Sequence, residues 1–503
     1  MRILGLSQRL YLGDIHLALK REGHDVRVFA SDPPALRAFG GLLDTIDDWQ
    51  AGLDWVGRDG VVLVEGVRQG AAQDALRARG HRVVGGSAYG DRLENDRDFG
   101  QATLRDAGLP IAQSRAFDTP ADALAWLGAH PGRYVLKHDD GAHPTFVGEH
   151  ATGADLAFQL RRAPPGRVLL MPRLDGVEVG VGAYFDGRAF LRPACIDFEH
   201  KRFFPAELGE MTGEMGTLAS FEHAEPLFAH TLDRMAPAFR AAGHVGYVNL
   251  NLIVNEQGAW PLEFTCRIGN PGFAVLAALQ PAGWGDLLAR MAGGLSAPAP
   301  PHPPATPSSA PALSSTPAPP SALAPSPGPA AFPTRPGWSV AIVLTVPPFP
   351  GVAPAALPED DPPVFFHRDP FSLPDPGGAE LLHHHFVDMR RDRHGEEQLR
   401  VHRRSGHAMI VTGVGATVRA AQDAARARAR NVVIPELRWR ADIGDRFAAG
   451  EAARLASLGW LPAACSAPPE HAQPGHAAQE HAAPGHAAPG HAPPGHAAQE
   501  HGA

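Results

Sequence analysis

Residues 297–336, "APAPPHPPATPSSAPALSSTPAPPSALAPSPGPAAFPTRP", constrain this chain more than any other stretch. A segment made of proline, alanine and serine buries too little apolar surface to offset the entropy of ordering it, so it reads as a disordered linker. Packed domains must therefore be built from residues 1–296 and from residue 337 onward. At 503 residues with 44% hydrophobic content, the chain has material for two to four of them. From residue 466 a second low-complexity stretch begins, in which His471, His476, His481, His486, His491, His496 and His501 recur on a five-residue step. Residues 466–503 read either as a disordered tail or as a run of imidazoles that gathers divalent metal loosely, not as a catalytic metal site.

In residues 1–95 short apolar runs ("RILGL", "DVRVFA", "GVVLVEG", "HRVVGG") alternate with helical patterns such as "DIHLALKREG". That order predicts βαβ units and a parallel sheet. Residues 96–296 open with helices at "DRDFGQATLRDAGLP" and "DTPADALAWLGAHPG", where Thr119 suits the N-cap and Pro120 the first helical position. Strands then dominate: "RYVLKHD", "RVLLMPRLDG", "VGVGAYFDGRAF" and a pair around 247–266. Beyond the linker, residues 337–450 combine "WSVAIVLTVPPFPG" and "AMIVTGVG" with the helix-like "ATVRAAQDAARARARNVV" and predict a small α+β domain. The expected fold is thus a multidomain mixture of α/β and α+β.

A formal net charge of -9 gives no general attraction to nucleic acid or to anionic membrane, so an anionic ligand needs a local basic cluster. Cys195, Cys266 and Cys465 are scattered without CxxC spacing and cannot all pair, which fits a reducing compartment. The apolar run at the start is too short for a secretory h-region, and nothing approaches the roughly 20 apolar residues of a spanning helix. A cytoplasmic location is expected.

"PLEFTCRIGNP", residues 261–271, places Glu263, Thr265 and Arg267 on alternate positions of an apolar strand, hence on one face. Two charges and a hydroxyl suit a polar occupant better than a core. Lys137 ends another apolar strand; alone, it reads equally as an exposed edge charge. Asp175 and Glu178 follow a strand in "VLLMPRLDGVEVGVGAYFDG", where the rim of an adenine pocket can form. His200, Lys201 and Arg202 precede a glycine-punctuated loop, and such loops add free backbone N–H donors to side-chain charge when they clasp phosphate. Glu263 is a magnesium ligand candidate, because Mg²⁺ takes one or two carboxylates together with phosphate oxygens and water.

These stretches resemble the ATP-grasp superfamily and, within it, the phosphoribosylamine–glycine ligase (glycinamide ribonucleotide synthetase) family. "HKRFFPAELGEMTGEMGT" is similar to that family's pattern without a gap, with Gly209, Thr212, Gly213, Met215 and Gly216 in register. "LEFTCRIGNP" resembles Glu-Phe-Asn-Cys-Arg-Phe-Gly-Asp-Pro, "LDGVE" resembles Leu-Asp-Gly-Glu-Glu, and "LENDRDF" has Arg97 where the family has lysine. "SGHAMIVTGVGATVRAAQDAA" is similar to a segment of the family's C-terminal domain, so the likeness covers roughly residues 1–450.

The resemblance implies a pre-ATP-grasp domain followed by ATP-grasp lobes, with ATP and Mg²⁺ (or Mn²⁺) as cofactors. It implies small-molecule substrates: a carboxylate such as glycine, which attacks the γ-phosphate of ATP, and an amine, phosphorylated in the family, which then displaces phosphate. Neither nucleic acid nor membrane is an implied partner. It assigns Arg97, Lys137, Gly213 and Gly216 to the ATP phosphates, Glu178 to the nucleoside end, and Glu263, Thr265 and Asn251 to the metal. Arg267, Lys201 and Arg202 are the catalytic candidates, and His200, Gly5, Ser7 and Arg9 the substrate-binding ones.

The chain also departs from the family. Thr265 replaces an asparagine, a second metal ligand; Asn249 and Asn251 either supply the missing oxygen or form a buried ladder. The ATP-covering loop is "DDGAHPTFVGEH", lacking the family's lysine and most of its glycines, and "GLSQRLYLGD" replaces the Gly-Gly-Arg-Glu-His loop that helps hold the amine's phosphate. The "GLSQRLYLGD" stretch builds either an anion site or an ordinary βα turn. Met171, Pro172 and Arg173 stand before Leu-Asp-Gly where the family has acidic residues, and Asn270-Pro271-Gly272 replaces Asp-Pro-Glu. Three functions remain open: an active ligase, on phosphoribosylamine or another amine; a nucleotide-binding scaffold without turnover; and a metal-responsive protein built on the histidine tail.

Overall fold

The computed structural model describes residues 1–466 apart from 33, 34, 36, 139–144, 294–330, 352–360, 371–380, 393, 403 and 404. Most of the expected 297–336 linker, the centre of the expected ATP-covering loop and the histidine repeats therefore lie outside the described residues.

The first strands, β1 (Arg2–Ser7), β2 (Asp25–Ala30), β3 (Val61–Val64) and β4 (Arg82–Val84), form a parallel sheet in the order β2-β1-β3-β4. All four residues of β3, "VVLV", are buried, as expected of a parallel strand covered on both faces. The helix Pro120–Ala129 starts as its sequence predicts: Thr119 accepts a hydrogen bond from the Asp122 N–H and Pro120 occupies the first turn. That helix packs on an antiparallel sheet of β5 (Arg115–Phe117), β6 (Tyr134–His138), β7 (Phe146–Val147) and β8 (Val168–Pro172), ordered β5-β8-β6-β7.

Next come β9 (Val177–Asp186), β10 (Cys195–Phe204), β11 (Leu208–Ser220), β12 (Val245–Asn255) and β13 (Gly258–Thr265). After residue 330 follow β14 (Trp338–Thr345), β15 (Phe365–Phe366), β16 (Leu382–His384), β17 (Val387–Arg391), β18 (Glu397–Val401), β19 (His407–Gly415) and β20 (Val432–Val433). One antiparallel sheet takes strands from both sets, in the order β13-β12-β9-β10-β11-β14-β19-β16. The strands after residue 336 thus continue the sheet that carries "LEFTC", through β14 pairing with β11 from Gly216↔Ile342 to Ala219↔Ser339. Strands β15 with β20 and β17 with β18 make two short ribbons. Helix Val418–Asn431 begins at Thr417, whose hydroxyl accepts from the Ala420 N–H, and packs Ala421, Ala425 and Ala429 into the core below β14 and β19.

Two glycines shape the middle of this sheet. Asn249 and Asn251 on β12 pair with Gly182 and Gly180 on β9. A Cβ at Gly180 would collide with the Asp197 carboxylate, and one at Gly182 with the Tyr247 hydroxyl. The missing side chains leave the space in which polar groups of β10 and β12 lie over the sheet.

Candidate active site

Period-two alternation builds the site. On β10, Asp197, Glu199 and Lys201 recur at every second residue; on β12, Tyr247, Asn249 and Asn251 do; on β13, Glu263 and Thr265 pair with Asn251 and Asn249. Paired residues share a face. Lys201 is the hub: its Nζ lies 3.0 Å from Glu178 Oε1, 3.2 Å from Glu199 Oε2 and 3.7 Å from Glu263 Oε1. From the opposite sheet Lys137, at the end of β6, comes within 4.0 Å of Glu263 Oε2. Arg97, the first residue of a helix capped by Asp96, reaches the same oxygen at 4.0 Å. Three cations from three elements thus face one carboxylate.

The charges respond to these surroundings. Partial removal from water pushes the Glu263 carboxyl up, but Lys201, Lys137 and Arg97 outweigh it and hold the group at about 2. Burial pushes Lys137 down to about 8, with Glu263 opposing and Arg97 and Lys201 reinforcing. Lys201 is also desolvated, yet Glu199, Glu178 and Glu263 carry its ammonium well above the ordinary lysine range. The ion pairs of Glu263 are longer than hydrogen bonds, so its oxygens retain lone pairs for a cation. The residues therefore fit a divalent ion at Glu263, with Thr265 beside it in the cleft.

Arg267 lies two residues beyond the end of β13, outside the strand on which the sequence places it. Its Nη2 is 2.9 Å from Glu94 Oε1, its Nε donates to the same oxygen at 3.1 Å, and Glu94 Oε2 accepts from the Cys266 N–H. Arg267 lines two adjoining cavities, together with Gly213, Glu214 and Asn270. One, of about 220 Å³, lies over the polar sheet face and includes Asp197, Glu199, Lys201, Glu263 and Thr265. The other, of about 530 Å³, runs to the N-terminal loop and is lined by Gln8, Arg9, Tyr11, Phe349, His385 and His407.

The structure brings together Arg97, Lys137, Glu178, Lys201, Glu263, Thr265 and Arg267 of the expected set. Asn251 joins them differently: its Nδ2 donates to Glu178 at 2.8 Å and orients that carboxylate, while its Oδ1, the atom a metal would need, accepts from the Leu252 N–H. Arg9 lines the larger cavity, half-exposed, with Nη1 3.4 Å from the Tyr11 hydroxyl.

Five expected positions lie elsewhere than the sequence places them. His200 points away from Lys201, to the other face of β10: it is buried, and its Nε2 accepts from the Gly444 N–H at 3.2 Å. Burial, then Arg446 and Arg440, hold its imidazole down at about 3. Gly216 is needed for packing, since a Cβ there would collide with the Ala341 carbonyl of β14. Gly5 lies against the buried His16 ring, which a Cβ would meet. Ser7 is buried, donating to Glu65 and accepting from the Leu10 N–H, so it closes the loop after β1 instead of facing a ligand. Arg202 sits apart from Lys201: its Nη1 donates to Gly209 O, and it lines a separate groove of about 410 Å³ with His138, Thr145 and Phe146.

Sequence reasoning missed Glu94, Asp197, Glu199 and Glu214. The alternation in "DFEHK" carries the signal for Asp197 and Glu199, whereas nothing local marks Glu94 or Glu214.

Residues 95–273 match the family model described as phosphoribosylglycinamide synthetase, ATP-grasp (A) domain. Among similar proteins are phosphoribosylamine–glycine ligases from Streptomyces coelicolor, 31% identical over 44% of this chain and 55% of that protein, and from Nostoc, 28% identical over 41% and 52%. The chain spans about half the length of these curated relatives. Among solved structures, the phosphoribosylamine–glycine ligase of Thermotoga maritima superposes with a TM-score of 0.60 at 18% identity, over 88% of this chain and 100% of that one. The biotin carboxylase domain of the Hydrogenobacter thermophilus 2-oxoglutarate carboxylase, crystallised with MgADP, superposes with a TM-score of 0.55 at 11% identity. These likenesses give the fold: an ATP-grasp architecture behind an N-terminal parallel sheet.

Proposed function

We propose that this chain, with its ATP-grasp residues 95–273, is an ATP-dependent carboxylate–amine ligase that forms a C–N bond through an acyl phosphate. The observation that carries the reading is the convergence of Lys137, Arg97 and Lys201 on Glu263 in a cleft that also contains Arg267. A carboxylate anion approaching a triphosphate needs charge neutralised on both partners. Lys137 and Arg97 hold phosphate oxygens from one side and Lys201 from the floor. Glu263, with Thr265, would hold Mg²⁺, which when bound neutralises phosphate charge and polarises the transferred group. Arg267, fixed by Glu94, presents its guanidinium to the substrate carboxylate, where a planar fork matches two oxygens.

The amine then attacks the acyl carbon, the carbon–nitrogen bond forms, and inorganic phosphate leaves. By the family likeness the pair is phosphoribosylamine and glycine, as in purine biosynthesis in the cytoplasm. A second reading, in which the amine differs, is favoured by one observation: Gly5 and Ser7 are turned inward, and the larger cavity presents Tyr11, Phe349, His385 and His407. The deciding experiment measures ADP release with glycine and phosphoribosylamine generated in place, beside a panel of other amines. Turnover that disappears in Glu263→Gln supports the ligase; tight ADP binding with no turnover for any pair would leave a nucleotide-binding scaffold.

A further inference from the structure

A row of rings runs along the wall of the larger cavity. Between centroids, Tyr11 lies 6.2 Å from His385, His385 4.8 Å from His407, and His407 4.2 Å from Phe349. Burial, reinforced by His407, holds the His385 imidazole well below its ordinary range, and burial holds His407 down at about 4. Both rings are therefore uncharged in neutral solution. Among the described residues the cations of this wall are Arg9 and Arg267; Arg9 lies 4.0 Å from Asp32, and Arg267 is bound to Glu94. A phosphate monoester brings roughly two negative charges and is met by cations free to pair with it. The described wall has each of its cations beside a carboxylate already.

Two buried polar atoms of the same residues have no protein partner: His385 Nδ1 and Asn270 Oδ1. His385 is 3% exposed. The hydrogen-bonding sense of each atom follows from its neighbours. Asn270 Nδ2 donates to the Tyr11 carbonyl at 3.1 Å, which fixes the amide's orientation, and the same nitrogen lies 2.6 Å from His385 Nε2. Nε2 therefore accepts, the ring hydrogen sits on Nδ1, and the two orphans are one N–H donor and one carbonyl acceptor. Buried groups of this kind are costly to leave unmet, and a ligand with one acceptor and one donor completes them.

We propose that the larger cavity takes the second substrate as an amine carried on a neutral, planar aromatic body with a carboxamide-like edge, in place of a phosphorylated sugar amine. The aromatic body packs against Tyr11, His385, His407 and Phe349, and its edge meets the His385 N–H and the Asn270 carbonyl. The volume, about 530 Å³, falls within the roughly 300–1,000 Å³ of small-molecule sites. The assignment rests on the ligase reading for its role, in the form in which the amine differs, but occupancy of the cavity is independent of turnover.

The test is calorimetric binding to the full chain in the presence of ADP and Mg²⁺, with benzamide, cyclohexanecarboxamide and ribose 5-phosphate as probes. Benzamide is expected to bind at least about tenfold tighter than either of the others, the first of which keeps the edge without the aromatic ring. His385→Phe, which keeps a ring and removes the N–H, is expected to weaken benzamide by about fivefold with ADP affinity unchanged. Tyr11→Leu, at a half-exposed position that the fold tolerates, is expected to weaken it by a similar factor. Ribose 5-phosphate binding as tightly as benzamide, or benzamide affinity unmoved in both variants, overturns the assignment. Selective benzamide binding without ADP release for any amine, 4-(aminomethyl)benzamide included, would retain the cavity's preference and defeat the ligase reading. ADP release with phosphoribosylamine but not with 4-(aminomethyl)benzamide would do the reverse.

Discussion

Lys137 is held near a pKa of 8 by burial beneath the cleft, so its charge is present in neutral solution and fades as pH rises above that value. A polyphosphate favours the charged form. ADP affinity is therefore expected to be level below about pH 8 and to fall above it, by up to about tenfold per unit for the one proton involved. Lys137→Met should flatten that slope and weaken ADP by roughly ten- to a hundredfold at neutral pH, the worth of a charged hydrogen bond. Titration calorimetry across the pH series checks both. For Arg267 the relevant property is shape. Arg267→Lys keeps the charge and loses the fork that grips Glu94 while facing the cavities, and ADP release is expected to slow by about tenfold or more. Unchanged kinetics would remove Arg267 from the site.

The floor of the cleft depends on what β9 omits. Gly180→Ala would drive a methyl into the Asp197 carboxylate, and a stability loss of about 1–3 kcal/mol is expected in urea unfolding, as for other overpacked cores. The β10–β11 hairpin has a different anchor. The fully buried Arg440 bonds to Arg202 O, Glu207 and Asp442, so Arg440→Ala leaves carboxylates without their cation and is expected to cost about 3 kcal/mol. Elements of this kind mark the limit of what the sequence shows. Period two was enough to put Glu263 and Thr265 on one polar face, whereas Lys137 read alone as an edge charge and came to the site only through the family resemblance; the parallel N-terminal sheet followed from its alternating runs. The run His200-Lys201-Arg202 was opaque. Adjacent residues on a strand face opposite ways, and β10 also slips register against β11 between His200 and Arg202 and again before Phe204. Only the chain folded beneath His200, through Gly444, tells which side is the ligand's. Gly5 and Gly216 failed for a related reason: a glycine required by a distant neighbour looks the same in sequence as one required by a phosphate.

At the scale of the molecule, residues 1–466 form one compact unit. Removing residues 467–503 is expected to leave ADP release within about twofold of the full chain, since the described residues that line the cleft all lie within 1–466; a larger loss would give the histidine repeats a part in catalysis. The seam between β11 and β14 has a further consequence. It stitches together stretches of polypeptide that lie on either side of residues 294–330, so a nick in that interval severs the covalent connection without severing the sheet. The two fragments should travel as one species on gel filtration and part only in denaturant. Expressed as separate polypeptides, they should find each other and regenerate by complementation the ADP release proposed for the intact chain.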